Sequence, residues 1–468
     1  MSQRIVILGG GPGGYEAALV ASELGAEVTV VADEGLGGNC VLWDCVPSKA
    51  MIVAAEAMGW LHRAGDLGVH VEGADRADRT IVDFPEVSQR VLDLGANQSA
   101  DIERRVADAG VNLVRGRGRI TGQNEVTARL EDGSEKVLPA DHVLLATGSY
   151  ARVLPFFEPD GERVLVGQQV YGLPEVPEHL IVVGSGATGA EFAHAFVRFG
   201  AEVTLVSSRD LILPTEDPDA AQVIESVFER RGMTILRHAR ADSCERTEDG
   251  VRVGLTDGRT VEGSHVLFTV GQVPSAADVG LESVGVELTD RGGVDVDSVG
   301  RTSARWVYAA GDVTSPVMLA SVAAMQGRTA MWHALGQAVQ PIRWDSVAAT
   351  IFTDPEVATV GLTPEEAEEA RVPIETAKLD FRSNPRAKMV HGTDGFVKVH
   401  AMVGSGIVVG GVVVSPRASD LIQPLAVAVQ NRMSVSQLAQ TMTIYPSMAG
   451  SVNEACRMLM SRLDGGNA

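Results

Sequence analysis

The apolar and polar residues of the first part of the chain alternate in a way that predicts a strand, a tight turn, a helix and a second strand. An apolar run at residues 4–8 is followed by glycines at the spacing G-x-G-x-x-G, by a helical pattern to about Leu24, and by the apolar residues 28–31. The three glycines are Gly9, Gly11 and Gly14. This order is typical of a dinucleotide-binding βαβ unit, in which the glycines let the backbone approach a pyrophosphate at the helix N-terminus.

The same unit occurs again in the middle of the chain. Residues 180–183 lead into a second glycine turn, a helix to about Phe199 and a strand at 203–206. The glycines of this turn are Gly184, Gly186 and Gly189. Two such units predict two dinucleotide sites. Further strands are expected at 143–148, 266–271 and 307–312.

From about Arg343 the pattern changes. Residues 395–400 and 407–414 read as antiparallel strands, and helices are expected near 363–370, 420–431 and 435–441. This part has no nucleotide fingerprint, so it predicts a third domain of a different kind.

Composition and charge exclude several functions. The chain has 468 residues, 45% of them hydrophobic, and a formal net charge of −22. Without a Lys/Arg block, such a chain is a poor partner for nucleic acid or an anionic membrane. It has no apolar run long enough to insert into a bilayer, and its first apolar run is too short for a signal peptide, so we expect a cytoplasmic protein.

Two of the four cysteines stand close together, just after the first unit. Cys40 and Cys45 lie in the segment 37–49, which also contains Pro47 and Lys49. On an ideal helix their Cα atoms would be roughly 8–9 Å apart, whereas a disulfide needs less than about 7 Å. The segment must therefore be distorted, and Pro47 is expected to disfavour helical geometry at the residue before it. This pattern predicts a redox-active pair.

With these motifs, with residues 308–312 and with residues 352–361, the chain resembles the flavin-dependent pyridine nucleotide-disulfide oxidoreductases. The resemblance covers nearly the whole chain. It implies an α/β fold with two Rossmann-like domains, for FAD and NAD(P)H, and a C-terminal α+β domain that forms a homodimer. The expected boundaries are 1–150 and 276–342 for the FAD domain, 151–275 for the NAD(P) domain and 343–468 for the dimerisation domain.

The resemblance also implies the cofactor-binding residues. The first glycine turn would hold the FAD pyrophosphate, Gly118 would lie by the adenine, and Asp312 and Ala320 near the ribityl and phosphate groups. In the family, an acidic residue at the tip of the second strand binds the adenosine ribose. Here Ala32 stands at that tip, so the resemblance assigns this role to the next residue, Asp33. Further candidates for cofactor binding are Gly38, Asn39, Gly148, Gly271 and Gly311. No metal ligands are expected.

A lysine and a glutamate are implied at the flavin ring. Lys49 would sit at the flavin N5 and pair with Glu191, which follows the second fingerprint. Such a pair polarises the ring without leaving a buried charge alone.

The choice of coenzyme depends on the tip of the second strand of the second unit. An acidic residue there would bind the 2′-hydroxyl of NADH, but this chain has Ser207, Ser208 and Arg209. Hydroxyls and a guanidinium accept a 2′-phosphate, which favours NADPH. A second arginine is missing, so NADH stays open as a co-substrate.

The chain departs from the disulfide reductases near its C-terminus. Those enzymes carry His-Pro followed closely by Glu, contributed across the dimer as an acid/base on substrate thiols. Here Tyr445 replaces the histidine and Gly450 the glutamate. A phenol, with an ordinary pKa of about 10, moves thiol protons poorly at pH 7.

These observations favour a flavoprotein NAD(P)H dehydrogenase that passes hydride through the flavin to a quinone-type acceptor. The candidate catalytic residues are Cys40, Cys45, Lys49, Glu191 and Tyr445. Three alternatives stay open: a disulfide reductase similar to dihydrolipoamide dehydrogenase, a soluble pyridine nucleotide transhydrogenase, and a redox sensor or interaction protein that binds FAD but turns over little.

Overall fold

A computed structural model describes residues 2–70, 82–314 and 317–465. In these ranges the strands, in chain order, are β1 (Arg4–Leu8), β2 (Glu27–Ala32), β3 (Asn112–Gly122), β4 (Glu125–Leu130), β5 (Glu135–Pro139), β6 (His142–Leu145), β7 (Ser149–Ala151), β8 (Val164–Val166), β9 (His179–Val183), β10 (Glu202–Val206), β11 (Thr234–Leu236), β12 (Ala241–Arg246), β13 (Val251–Leu255), β14 (Thr260–Gly263), β15 (His265–Phe268), β16 (Gln272–Pro274), β17 (Val307–Ala309), β18 (Ala348–Ile351), β19 (Glu356–Gly361), β20 (Ile374–Asp380), β21 (Phe396–Met402) and β22 (Val408–Ser415).

The helices of the same ranges are α1 (Pro12–Glu23), α2 (Gly38–Leu42), α3 (Cys45–Arg63), α4 (Phe84–Asp108), α5 (Ala187–Phe199), α6 (Pro218–Arg230), α7 (Ala320–Ala334), α8 (Pro364–Glu369), α9 (Pro385–Met389), α10 (Ala418–Leu421), α11 (Gln423–Gln430), α12 (Val435–Ala439) and α13 (Gly450–Gly465). Short 3-10 turns join several of them.

Each predicted nucleotide unit forms the centre of its own sheet. The first sheet has the order β17-β6-β1-β2-β3-β4-β5, with parallel pairing from β17 to β3 and antiparallel pairing beyond it. The second has the order β11-β10-β9-β15-β8 and is parallel throughout. The central strands of both are buried because helices cover them, as expected for parallel sheets.

The third large sheet is antiparallel and belongs to the C-terminal part. Its order is β18-β19-β22-β21-β20, and helices α10 to α13 pack against it around a separate apolar core. The predicted α/β architecture with a C-terminal α+β unit is therefore confirmed. The boundaries at residues 150, 275 and 342 stay predictions.

Two local predictions were wrong. The break in the dithiol segment falls at Trp43 and Asp44, between α2 and α3, and Val46 is helical. Pro47 lies in the first turn of α3, where a proline is tolerated because that N–H has no helical partner. The single helix expected over 420–431 is instead divided at Ile422 into α10 and α11.

No helix in the described parts of the chain is both long enough and apolar enough to cross a bilayer.

The packing of β3 against β1 and β2 generates a prediction. A Cβ atom at Gly118 would collide with Cδ2 of Leu8 and lie 3.3 Å from Cγ1 of Val31. We expect Gly118→Ala to lower the free energy of unfolding by about 1–3 kcal/mol, because these buried side chains must shift. Gly122→Ala is the matched control. Gly122 lies on the same strand, and a Cβ atom there would meet nothing within 4 Å. Calorimetric unfolding of both variants checks this, and equal midpoints would contradict it.

Candidate functional site

The two glycine turns have the same geometry at the N-termini of α1 and α5. A side chain at Gly14 would collide with the carbonyl of Gly9, and one at Gly189 with that of Gly184. The residues between them face open space, since a Cβ at Gly11 or Gly186 would meet nothing within 4 Å. Gly11 and Gly186 are the N-caps of their helices. Each turn therefore leaves room for a pyrophosphate in front of free helical N–H groups.

The dithiol segment lies directly on the first glycine turn. The N–H of Gly37 donates to the carbonyl of Gly10 at 2.7 Å, and a Cβ at Gly38 would come within 3.0 Å of the Cα of Gly11. Cys40 belongs to α2, and Cys45 is the first residue of α3. The break between these helices is the distortion that the cysteine spacing predicts.

The two cysteines are free thiols joined by a hydrogen bond. The hydrogen bond from Cys45 lowers the pKa of Cys40 below that of an ordinary thiol, although burial and Asp44 oppose this. The same bond, together with burial, raises the pKa of Cys45. The positive charge of Lys49 favours the thiolate at both positions.

The predicted lysine and glutamate form an ion pair. Nζ of Lys49, on α3, lies 2.8 Å from Oε2 of Glu191, on α5, and the Glu191 side chain is only 6% exposed. Burial works against the charge on Lys49, but the charge and the hydrogen bond of Glu191 raise its pKa overall. The charged form of Lys49 is therefore favoured, and the pair lies one turn of α3 beyond Cys45.

A chain of hydrogen bonds connects the dithiol segment to the end of β17. Nδ2 of Asn39 donates to the carbonyl of Ser149, and Oγ of Ser149 donates to Oδ2 of Asp312, both at 2.7 Å. Burial raises the pKa of Asp312, although the Ser149 hydrogen bond opposes this. Sequence reasoning missed Ser149, and its place directly after Gly148 was the only available signal.

The predicted ribose acid lies at the expected strand tip. Asp33 follows β2 and is half-exposed, and its Oδ2 accepts from Nε of Arg117 at 2.7 Å. Arg117 precedes Gly118 on β3. The arrangement places an accessible carboxylate beside the end of the first sheet, and its role at the ribose stays a prediction.

The three residues at the tip of β10 differ in their exposure. Ser207 is fully buried, and its Oγ accepts from Oγ of Ser185 at 2.8 Å and from the N–H of Arg209 at 3.2 Å. Its hydroxyl therefore supports the loop instead of facing a 2′-phosphate. Ser208 and Arg209 are exposed, so the coenzyme prediction depends on these two.

The remaining cofactor candidates lie where the strands end. Gly148 and Gly271 directly precede β7 and β16, which pair with each other and link the two nucleotide sheets. Gly311 follows β17, and Ala320 is the first residue of α7.

Tyr445 lies away from this constellation, on the surface of the C-terminal part. Its side chain is 85% exposed, beside Ile444 at 82% and Met442 at 98%. Its role as a candidate catalytic residue stays a prediction.

The residues of the site fit the two cofactors that the sequence predicts. The first glycine turn contacts the dithiol segment, and Asn39 of that segment is connected through Ser149 to Asp312. The residues that the resemblance assigns to the pyrophosphate and ribityl parts of FAD therefore lie close together. The second turn and the exposed loop at Arg209 are the corresponding expected site for NAD(P)H. The Lys49–Glu191 pair connects α3, which follows the first turn, to α5, which begins at the second turn.

The chain matches two family models. Residues 3–327 match the pyridine nucleotide-disulphide oxidoreductases, and residues 347–456 match the dimerisation domain of the same family. A protein of Mycobacterium tuberculosis named NAD(P)H dehydrogenase (quinone) is 50% identical over 473 residues, covering 99% of this chain and 95% of the relative. A dihydrolipoyl dehydrogenase of Haloferax volcanii is 34% identical, with 97% and 95% covered.

Solved structures agree with this assignment. The crystal structure of LpdA from M. tuberculosis superposes with a TM-score of 0.93 at 49% identity, covering 98% of this chain and all of that one. The flavoprotein disulfide reductase RclA from Escherichia coli, at 22% identity and a TM-score of 0.85, shares the fold. The chain therefore belongs to the pyridine nucleotide-disulphide oxidoreductases, a family of oxidoreductases that use FAD and NAD(P)H.

Proposed function

We propose that this chain is an NAD(P)H dehydrogenase that delivers electrons to a quinone-type acceptor. The observation that carries the proposal is a site with its Lys49–Glu191 pair in place and without the C-terminal acid/base pair of the disulfide reductases. Tyr445 and Gly450 stand at those two positions, and no histidine follows His400. The name of the M. tuberculosis relative supports the same activity.

The residues of the site have separate tasks in this proposal. Bound FAD would supply the capacity to accept a hydride from NAD(P)H and to return two electrons to the acceptor. Lys49 would keep a positive charge at the flavin ring, and Glu191 would balance it. The first glycine turn, Asn39 and Asp312 would hold the cofactor.

A quinone needs less from the protein than a disulfide does. Reduction to the quinol consumes two electrons and two protons, and the oxygens of the reduced quinone can take both protons from water. Reduction of a disulfide gives two thiolates, and an oriented acid is needed to protonate them efficiently. The loss of the His–Glu pair therefore affects thiol substrates much more than quinones.

A disulfide reductase is the second candidate, because Cys40 and Cys45 are adjacent free thiols with a lowered pKa at Cys40. The dihydrolipoyl dehydrogenases among the relatives support it.

We further propose a cytoplasmic homodimer. The match to a dimerisation domain supports the dimer, as do the exposed apolar side chains of Met442 and Ile444. Four cysteines without a disulfide framework suit a reducing compartment.

The first prediction separates the two candidates. Purified protein should oxidise NADPH rapidly with menadione and slowly with lipoamide, because the thiol acid/base is missing. In the proposed enzyme, Cys40→Ser should leave the quinone rate within about twofold, while any lipoamide activity disappears. Cys244→Ser is the matched control, since Cys244 lies apart on β12. Rapid lipoamide turnover, or loss of both activities in Cys40→Ser, would contradict the proposal.

The second prediction concerns the coenzyme. Arg209→Ala should raise the KM for NADPH by about tenfold and change that for NADH little, because only NADPH carries a 2′-phosphate that the guanidinium can bind. Arg252→Ala, a half-exposed arginine on β13 that pairs with Glu262, serves as the control. Equal changes in both KM values would show that Arg209 does not read the 2′-phosphate.

A further inference from the structure

The turn between β18 and β19 contacts both members of the Lys49–Glu191 pair. The N–H of Phe352 donates to Oε1 of Glu191 at 2.9 Å, while Oε2 of the same carboxylate accepts from Lys49. Nζ of Lys49 also lies 5.2 Å from the centroid of the Phe352 ring, within the range of about 6 Å for a cation–π contact. Phe352, a residue of the C-terminal part, therefore orients the Glu191 carboxylate and also contacts Lys49.

A buried cluster of charges anchors the same turn two residues later. Oδ2 of Asp354 lies 2.9 Å from Nη2 of Arg198, 2.8 Å from Nη2 of Arg231 and 3.9 Å from Nη1 of Arg63. The Asp354 side chain is only 12% exposed. Burial works against its charge, but the nearby cations, Arg231 foremost, hold the pKa of Asp354 below its usual range.

The helices that carry the ion pair also carry two of these arginines. Arg198 follows Glu191 by about two turns of α5, and Arg63 follows Lys49 by about four turns of α3. Both spacings are multiples of seven residues, which return to nearly the same face of a helix. The turn thus lies along one face of each helix, with Phe352 at the ion pair and Asp354 at the arginines.

We propose that Asp354 is a positioning residue for the Lys49–Glu191 pair. By holding the turn against α3 and α5, it keeps the N–H and the ring of Phe352 in contact with both charges. This inference rests on the proposed role of the pair at the flavin, and it assigns to the C-terminal part a function inside its own subunit.

Removal of the charge on Asp354 should disturb the pair at a distance. Without a carboxylate, three guanidinium groups face one another in a poorly hydrated place, so the turn and the arginines must move apart. The N–H of Phe352 then loses its alignment with Glu191. Lys49 and Glu191 remain present but are held less firmly.

The test compares Asp354→Asn and Asp354→Glu in the flavin-loaded protein. We expect Asp354→Asn to lower the limiting rate of flavin reduction by NADPH about 10- to 100-fold, with the dissociation constant of NADPH nearly unchanged. The midpoint potential of the flavin should shift in the same direction as in Lys49→Met. Asp354→Glu keeps the charge and should restore most of the rate and of the potential.

Asp217→Asn is the matched control. Asp217 is a buried carboxylate before α6 that accepts from Nζ of Lys398 on β21, so it also joins the second sheet to the C-terminal one. It should lower the unfolding midpoint without changing the rate or the potential. A normal rate and potential in Asp354→Asn, or equal defects in both variants, would overturn the proposal.

Phe352→Leu decides the question if Asp354→Asn does not fold. This variant keeps the N–H and removes the ring, so a smaller loss of rate with the same direction of potential shift is expected. No change in either quantity would overturn the inference. If Lys49→Met itself reduces its flavin at the normal rate, the role of the pair fails, and the inference fails with it. A slow Lys49→Met beside a normal Asp354→Asn would refute the inference alone.

Discussion

The site depends on one buried ion pair, that between Lys49 and Glu191. A carboxylate with 6% exposure is costly to keep ionised without a partner, and the nearest cation comes from a helix of the other nucleotide unit. The two helices α3 and α5 must therefore pack side by side. This contact sets the distance between the first glycine turn, the dithiol and the second glycine turn, so the relative position of the two cofactor sites follows from it.

The charge distribution around this pair explains how a chain of net charge −22 can work on anionic coenzymes. The two open glycine turns lie at helix N-termini, which attract anions over short distances, so the overall charge of the chain matters little there. Acidic groups inside the site have specific hydrogen-bonding or charged partners. Asp312 accepts from Ser149, and the Cys40 thiolate is favoured by Cys45 and Lys49.

The C-terminal part contacts the Lys49–Glu191 pair, although both residues of the pair belong to other parts of the chain. Its residue Phe352 completes the environment of Glu191 from the same subunit, whereas Tyr445 stands exposed where a partner subunit would approach. In the proposed enzyme, the tyrosine and glycine at the positions of the acid/base pair would affect thiol acceptors and leave the Lys49–Glu191 pair unchanged.

The local architecture can be predicted from the sequence alone. The two βαβ units, their glycine turns and the distortion between Cys40 and Cys45 can be predicted from local periodicity and spacing, and the change of pattern after Arg343 indicates a separate C-terminal part. The pairing of the C-terminal sheet is not local, because β19 pairs with β22. The Lys49–Glu191 pair was found only through the family resemblance, because nothing local to either residue indicates the other.

Tertiary packing selects the side chains that face the site. It turned Ser207 inward, where Ser185 saturates its hydroxyl, and it brought Ser149 to Asp312 and Phe352 to Glu191. Lys49 and Glu191 are separated by 142 residues, and Phe352 lies 161 residues beyond Glu191. Such contacts depend on how whole helices and sheets pack together, and a backbone N–H such as that of Phe352 has no signature in the sequence, because nearly every residue carries one.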